Sequence, residues 1–493
     1  MIFLVKIKPL KKGRVMFKKR TTQIISKTVL FTLLLFTSTR QTTNFDVWQI
    51  FDQIHFEFST TQTDINNINI VKSQIPKNIT KKDWTIILYV AADNDLGAFA
   101  IRNIKQMAYV GSNEHFNIVV QLDIRKSTGE KITRRYYVKK GKVLHLNADD
   151  PDSQKMDSGD PETLVSCCGW AIENFPAEQF GLILWNHGTG ILDPLRGRMI
   201  RPTELLSFNP QTNQVELDRS IGYLDRMLQR GICWDDTTGN YLNNQKLDYA
   251  LDCVCKKYLN GEKFLFVGFD ACLMQMIEVA NIIKNYAHIM IGSQEAELGY
   301  GWNYANVLNP FKEGTIAPID FVDHIIESYR VSYEKITNDY TLSALNLEVV
   351  GYLEQNVNDV AKLLIEGLIK QKNKTVTKYI KASRSRLVCT HFDEPSYIDL
   401  HHLYGNLLKN ISHIKLTDKS LEKTFKNLLK EKLEEGQRLL ESIVFSYTTG
   451  QSLSSARGLS IYFPERGMHP SYTKTNFVKN NQWGNFLAFY LSA

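Results

Sequence analysis

The fold is decided by residues 264–272, which read FLFVGFDAC. Apart from one glycine the run is apolar as far as Phe269, and Asp270 and Cys272 follow at once. A short apolar run without polar alternation is typical of a strand that is buried on both faces of a sheet. Residues 273–284 then show the apolar spacing of a helix. We therefore predict a buried strand, with Cys272 at the point where the strand gives way to a helix.

Other short apolar runs of this kind lie on both sides of it, at residues 84–90, 116–122, 180–185 and 288–292. Helical patterns lie between several of these runs, as at residues 96–110 and 161–174. Strands that alternate with helices predict an α/β fold with a mainly parallel sheet flanked by helices.

The chain becomes mostly helical after about residue 315, with helical spacing at residues 319–335, 349–370 and 416–445. One more strand is predicted at residues 459–463. We predict that residues 83–314 form the core of the fold and that a mainly helical part, residues 315–493, completes it.

The start of the chain is predicted to be an export signal. Residues 1–44 contain ten Lys and Arg and no acidic residue, and an apolar run lies at residues 29–36. This run is shorter than the roughly 20 apolar residues that cross a membrane, which favours a signal peptide. We predict a signal peptide or anchor at residues 1–39, and hence a secreted or cell-surface protein that meets the membrane only if the leader is uncleaved. A false start upstream of Met16 is the alternative.

The charge balance changes when the leader is set aside. The whole chain has a formal net charge of +7, and −3 remains when the ten basic residues of the first 44 positions are left out. The body of the protein therefore lacks a net basic character, and no nucleic-acid partner is predicted. Residues 40–82 are predicted to be a linker or pro-segment, with an extra packed helix as the alternative.

Two predicted strand ends carry residues suited to catalysis. Residues 182–190 read LILWNHGTG, so His187 and Gly188 follow one strand, as Cys272 follows the other. Sites in parallel sheets form beyond the carboxyl ends of the strands, so we expect both to reach one cleft. A thiolate near a helix N-terminus and a histidine that moves protons suit acyl transfer, and a glycine lets its N–H approach an oxyanion. The alternative is a small core cysteine and a structural histidine.

Cysteine usage suggests a reactive thiol. The chain has seven cysteines, an odd number, and no C-x-x-C motif. Neither a disulfide framework nor a zinc site is predicted, and an odd cysteine in an exported protein is a candidate reactive thiol. The motifs of phosphate-binding loops, serine hydrolases and zinc peptidases are also absent from the sequence.

The pair Asn186-His187-Gly188 and Asp270-Ala271-Cys272 resembles the clostripain family of cysteine peptidases, which belongs to the caspase-like clan with gingipains, legumains and separase. Further segments resemble the family in the same order, at residues 89–96, 119–123, 234–242, 293–302, 397–400 and 458–464. The resemblance implies a caspase-like fold and a cysteine endopeptidase that acts on proteins or peptides and requires no cofactor. It implies Cys272 as the nucleophile, His187 as its partner, and an oxyanion held by the N–H groups of Gly188 and Cys272.

The resemblance also implies cleavage after Arg or Lys. In the family an Asp at the position of Asp270 is tied to the specificity pocket, and a carboxylate there would suit a basic side chain. Where some members carry a second Asp, this chain has Tyr300 before Gly301 and Trp302; the neighbouring Glu295, with Glu297 close to it, could compensate. We predict substrate contacts for Asp270, Glu295, Tyr300 and Trp302. The alternative is that Asp270 caps the following helix.

The resemblance also suggests two further properties for this chain, internal processing and calcium binding. Members of the family are processed internally between the catalytic residues, and the loop at residues 191–220 offers Arg196, Arg198 and Arg201 as cleavage sites. Some relatives use calcium, and oxygen ligands are available from Asp93, Asn94, Asp95, Asp235 and Asp236, although turns and helix caps are the simpler interpretation. No metal ligand is assigned. Competing functions are a non-catalytic peptide- or surface-binding protein, and a hydrolase or transferase of another kind with the same pair.

Overall fold

The structure is a computed structural model that describes residues 69–76, 80–126, 128–194, 206–209, 214–217 and 231–492. All of these lie in one compact unit, Gln62–Ala493. The predicted signal peptide or anchor and most of the predicted linker lie outside the described residues, as do the three arginines of the predicted cleavage loop.

Among the described residues, ten strands form one sheet in the order β1-β5-β4-β3-β2-β6-β9-β10-β11-β13. Their bounds are β1 Asn69–Lys72, β2 Lys82–Ala92, β3 Phe116–Arg125, β4 Lys131–Lys139, β5 Lys142–His145, β6 Ala177–Trp185, β9 Phe264–Asp270, β10 Ala287–Gly292, β11 Thr341–Asn346 and β13 Val444–Thr449. Two small antiparallel pairs lie apart from it, β7 Leu206–Asn209 with β8 Gln214–Leu217, and β12 Tyr397–Asp399 with β14 Ser460–Tyr462.

The centre of the sheet is parallel. The five neighbours β3, β2, β6, β9 and β10 all run in one direction. The prediction of a mainly parallel sheet is therefore confirmed for the strands that were recognised as apolar runs. Antiparallel strands extend it on both sides, β4 and β5 on one side and β11 and β13 on the other.

Helices cover both faces of the sheet. They are α1 Gly97–Val110, α2 Pro161–Asn174, α3 Asn244–Lys257, α4 Ile277–Ile283, α5 Tyr304–Val307, α6 Pro318–Tyr333, α7 Val350–Lys370, α8 Thr375–Arg384, α9 Leu400–Asn410, α10 Lys419–Ile443, α11 Asn476–Asn480 and α12 Trp483–Ser492. Side chains of β2 alternate between the two layers: Ile87 and Tyr89 pack in the core with α2, α3 and α7, whereas Ile86 and Leu88 pack in the core with α1 and α6. A strand that is buried on both faces must be apolar throughout, which explains the continuous run.

The C-terminal part is mainly helical, as predicted, but it also supplies two strands of the sheet. The predicted helix at residues 416–445 ends at Ile443, and β13 follows directly. Residues 444–449 read VFSYTT, and such aromatic and β-branched residues favour a strand. The predicted helix extends two residues too far because the apolar spacing of α10 continues into Val444 and Phe445.

Candidate active site

The pairing of β6 with β9 brings the two predicted catalytic residues together. Trp185 is paired with Asp270 in this parallel ladder, so His187 and Cys272 each stand two residues beyond the same rung. Neighbouring strands are separated by about 4.8 Å. Both residues line one pocket. Both are nearly buried, with 3% of His187 and 4% of Cys272 exposed.

The turn that carries Cys272 has a strained backbone and is held by hydrogen bonds to a neighbouring loop. Leu273 has a φ of 64°, a left-handed conformation that is unusual for a bulky residue. Its N–H donates to the Glu295 carbonyl at 3.1 Å, and the Gln275 N–H donates to the Ser293 carbonyl at 2.9 Å. The loop after β10 therefore fixes the backbone around the thiol.

The prediction of a helix directly after Cys272 is wrong. Helix α4 begins at Ile277, with Met276 as its N-cap residue. The intervening backbone donates to the loop after β10 and so does not make helical hydrogen bonds. A helix N-terminus consequently does not act on the thiol directly, because the effect of a helix dipole falls off within one turn.

The peptide of Glu297 contacts the thiol instead. The Glu297 N–H donates to Cys272 Sγ at 3.1 Å, and Sγ lies 3.5 Å from the Glu297 carbonyl oxygen. The hydrogen bond donated to sulfur favours the charged thiolate form, which is the nucleophilic one, whereas the bond that the thiol donates to the carbonyl favours the neutral form.

His187 is oriented by Asp95. Its Nε2 lies 2.8 Å from Asp95 Oδ1. Since a carboxylate accepts, Nε2 carries a hydrogen, and in the neutral imidazole the lone pair is on Nδ1. The sequence indicated Asp95 only as a possible calcium ligand. It follows β2, the strand beside β6, so the rule about carboxyl strand ends could have placed it at this rim.

Asn186, which belongs to the motif that resembles the family, bonds to three other segments at the rim, and no role was predicted for it from the sequence. Its backbone N–H donates to the Asp270 carbonyl at 3.2 Å. Its side-chain oxygen accepts from the Trp234 N–H at 3.1 Å, and its side-chain nitrogen donates to the Ala91 carbonyl. The residue before His187 therefore ties β2, β6, β9 and the segment at Trp234 together.

Gly188 lies against the backbone of Cys272. A Cβ atom at Gly188 would lie 2.3 Å from the Cys272 carbonyl oxygen and 3.1 Å from its nitrogen. No side chain fits in that space without displacing backbone. The glycine is therefore required for the close approach of the two loops.

Asp270 lies at the cavity and does not cap the following helix, so that alternative is wrong. Its carboxylate accepts from the Trp302 N–H at 3.1 Å and from the Tyr304 hydroxyl at 2.8 Å. Burial raises the pKa of Asp270 to about 6, and the hydrogen bonds from Tyr304 and Trp302 oppose this shift. Glu297 also lines the cavity, and burial together with Asp270 raises the pKa of its carboxyl group well above the ordinary value.

The other predicted substrate-binding residues have structural partners. Glu295 is held in its loop, where Oε1 accepts from the N–H groups of Ala296 at 2.7 Å and Asp393 at 3.1 Å. The Tyr300 ring packs edge-on against Phe99, with centroids 5.3 Å apart, and the Trp302 side chain is fully buried beside Gly268. Their contact with substrate stays a prediction.

Two of the five suggested calcium ligands are paired with cationic side chains. Asp93 forms an ion pair with Arg125, and Asp235 forms one with Lys131. Within the described part of the chain, no group of three or more His, Cys, Asp or Glu residues is arranged to hold a metal ion.

All seven cysteines are free thiols. The helices that the structure describes include none with the length and apolar character needed to cross a bilayer.

Known proteins resemble this chain in sequence and in fold. Clostripain from Hathewaya histolytica is 25% identical over 280 residues, which are 52% of this chain and 47% of that protein. The chain thus spans about half the length of the curated relative that it matches. A secreted cysteine protease from Bacteroides thetaiotaomicron, solved with an irreversible peptide inhibitor, has a TM-score of 0.54 at 19% identity, over 82% of this chain and 99% of that chain. An inactive zymogen protease from Parabacteroides distasonis has a TM-score of 0.53 at 18% identity, over 82% and 99%.

The two solved structures, at this level of identity, support the fold alone. The sequence evidence is broader, because the family model described as the clostripain family matches residues 88–201 and 218–490. These ranges include His187, Cys272 and nearly all of the sheet. The chain therefore belongs to the clostripain family of cysteine peptidases.

Proposed function

We propose that the protein is a cysteine endopeptidase in which Cys272 is the nucleophile and His187 transfers protons. One observation carries the proposal: the two residues stand beyond the same rung of paired strands and line one cavity, with His187 held by Asp95. Membership of the clostripain family supplies the class of reaction.

The reaction proceeds in two stages. The Cys272 thiolate, formed when His187 takes the proton of the thiol, attacks the carbonyl carbon of the scissile bond, a C–S bond forms, and the carbonyl π electrons move to oxygen. The resulting oxyanion is held by the N–H groups of Gly188 and Cys272, whose backbones are in contact. The intermediate collapses, the C–N bond breaks, and the leaving amine takes a proton from the His187 imidazolium. Water then adds to the thioester, His187 accepts its proton, and the acid leaves as the thiolate is restored.

Asp95 has a positioning role in this scheme. Because it accepts from Nε2, it favours the tautomer of the neutral imidazole that carries its hydrogen on that nitrogen. Its negative charge also stabilises the imidazolium that forms when His187 is protonated.

The proposed specificity is for a basic side chain before the scissile bond, Arg or Lys. Asp270 and Glu297 both line the cavity beside Cys272. Asp270 is the charged partner, since its pKa of about 6 leaves it ionised at neutral pH, whereas burial and the charge of Asp270 raise the pKa of Glu297 well above its ordinary value and favour its neutral form. The Coulomb attraction between a carboxylate and a cation is stronger in a buried site than in water.

Substrates are proteins or peptides, and no cofactor takes part in the proposed reaction. We also propose that the basic and apolar leader at residues 1–39 directs export, with membrane attachment only if the leader is not removed.

We further propose that the protein cuts itself after Arg196, Arg198 or Arg201, which lie outside the described residues. The described residues on both sides of that interval are anchored to the body. The Asp193 N–H donates to Ser471 Oγ at 3.0 Å, and the Trp234 N–H donates to Asn186. Cleavage would therefore leave two fragments that stay associated.

The nucleophile is tested with a biotinylated peptidyl-Lys or peptidyl-Arg acyloxymethyl ketone. The wild-type protein should be labelled and should cleave basic peptides, whereas the Cys272→Ala protein should do neither, because its nucleophile is gone. Cys253→Ala is the matched control and should behave as wild type. Equal labelling of the Cys272→Ala protein would exclude the proposed nucleophile, and binding of peptide without cleavage by the wild type would favour a non-catalytic protein.

Gly188→Ala tests the contact between the two loops. The added methyl group would collide with the Cys272 carbonyl, so we expect kcat to fall about tenfold or more. Gly351→Ala is the control, since a Cβ there meets nothing within 4 Å. Steady-state kinetics make the comparison, and an unchanged kcat in Gly188→Ala would contradict the proposed oxyanion site.

Asp270→Asn tests the specificity pocket. It should lower kcat/KM for Arg and Lys peptides by about 100-fold, while alkylation of Cys272 by iodoacetamide persists. Glu297→Gln should have a smaller effect, because burial and the charge of Asp270 raise the pKa of that carboxyl group and disfavour its charged form. In the wild type, kcat/KM for basic peptides should rise as the pH rises through about 6, where Asp270 loses its proton. Normal cleavage after Arg by Asp270→Asn would assign specificity to another residue, with Glu295 as the first to examine.

Self-processing is tested by purifying the wild type and Cys272→Ala side by side. Only the wild type should yield two co-purifying fragments, with a new N-terminus after one of the three arginines. The same fragments in Cys272→Ala would mean that another protease makes the cut.

A further inference from the structure

Three buried aspartates lie behind the rim that carries His187. They are Asp93, at the end of β2, Asp123 in β3, and Asp235 in the segment that precedes α3. Three carboxylates without nearby positive charge would not remain ionised in such a place. Two basic side chains, Arg125 and Lys131, reach them from β3 and β4.

Lys131 lies between two of these carboxylates. Its Nζ is 3.1 Å from Asp123 Oδ2 and also pairs with Asp235 Oδ2. Burial disfavours the charged ammonium, but Asp123 and Asp235 outweigh it and raise the pKa of Lys131. Burial likewise opposes ionisation of Asp235, yet the hydrogen bond and charge of Lys131 and the Thr238 N–H lower its pKa. Burial still raises the pKa of Asp123 to about 7 although Lys131 opposes this shift, so the ammonium group compensates chiefly the charge of Asp235.

Arg125 completes the network on the other side. Its Nε donates to Asp93 Oδ1 at 2.9 Å. The second oxygen of Asp93 accepts from the Thr237 N–H at 3.1 Å, and the Asp93 carbonyl accepts from the Asp236 N–H at 2.8 Å. Residues 235–237 are therefore held by both basic side chains.

This segment is in turn bonded to the residues that precede His187 and Asp95. The Trp234 N–H donates to the side chain of Asn186, and the Trp234 carbonyl accepts from Asn94 Nδ2 at 3.1 Å. Displacement of residues 234–237 would move both neighbours of the His187–Asp95 pair.

We infer that Lys131 positions the His187–Asp95 pair through residues 234–237, and that its ammonium group supplies from within the chain the charge that a divalent cation would otherwise supply to Asp123 and Asp235. The inference rests on the proposed function. Calcium does not fit here, because it requires six to eight oxygen ligands, whereas the carboxylates of Asp93 and Asp235 already bind Arg125 and Lys131.

Lys131→Ala is the test, with Lys131→Arg as the conservative variant. Lys126→Ala is the matched control, since Lys126 forms an exposed ion pair with Glu130 next to the same two strands. Melting temperature, kcat and KM are measured in chelator and in millimolar calcium. We expect Lys131→Ala to lose kcat about tenfold or more with little change in KM, to melt earlier, and to recover part of both in calcium. Lys131→Arg, the control and the wild type should not depend on calcium.

An equal response of the wild type and Lys131→Ala to calcium would overturn the inference, as would an unchanged kcat in Lys131→Ala. If Lys131→Ala does not fold in the presence of chelator, the yield of refolded protein is measured in place of the melting temperature. Calcium should then raise the refolding yield of Lys131→Ala and of no other variant. A wild type that melts as expected but cleaves no peptide would refute the proposed function, while the calcium response of the melting temperature would still decide the role of Lys131.

Discussion

The parallel pairing of β6 with β9 is the constraint on which the rest of the site depends. Because Trp185 and Asp270 share a rung, the loops that leave these strands must pack against one another. The contact is so close that Gly188 has no space for a side chain beside Cys272. The nucleophile turn accommodates this contact through a left-handed residue, Leu273, and the loop after β10 holds that conformation in place.

The rim of the cavity also contains several buried carboxylate groups. A carboxylate without a partner in the interior destabilises a protein by several kcal/mol, whereas a single neutral hydrogen bond contributes about 1 kcal/mol. The buried acids here have specific partners accordingly: Asp270 has Trp302 and Tyr304, and Asp235 has Lys131. The same hydrogen bonds and ion pairs that stabilise these buried carboxylates also fix the positions of the side chains around the cavity.

The sequence predicted the parallel centre of the sheet because β2, β6 and β9 are apolar on both faces. It did not reveal β4, whose residues KITRRYYVK mix charged and aromatic side chains, or β13, which continues the apolar spacing of a helix. The partner of His187 was also missed. Asp95 lies 92 residues earlier in the chain, and several other acids follow strand ends, so only the order of strands in the sheet selects it.

The most direct measurement is a crystal structure of the protein after reaction with a peptidyl-Lys acyloxymethyl ketone. The account predicts a thioether bond at Cys272 Sγ, the ketone oxygen directed to the N–H groups of Gly188 and Cys272, and the lysine ammonium within hydrogen-bond distance of Asp270. His187 Nε2 should remain bonded to Asp95. A bond to any other residue, or a lysine side chain directed away from Asp270 into solvent, would contradict it.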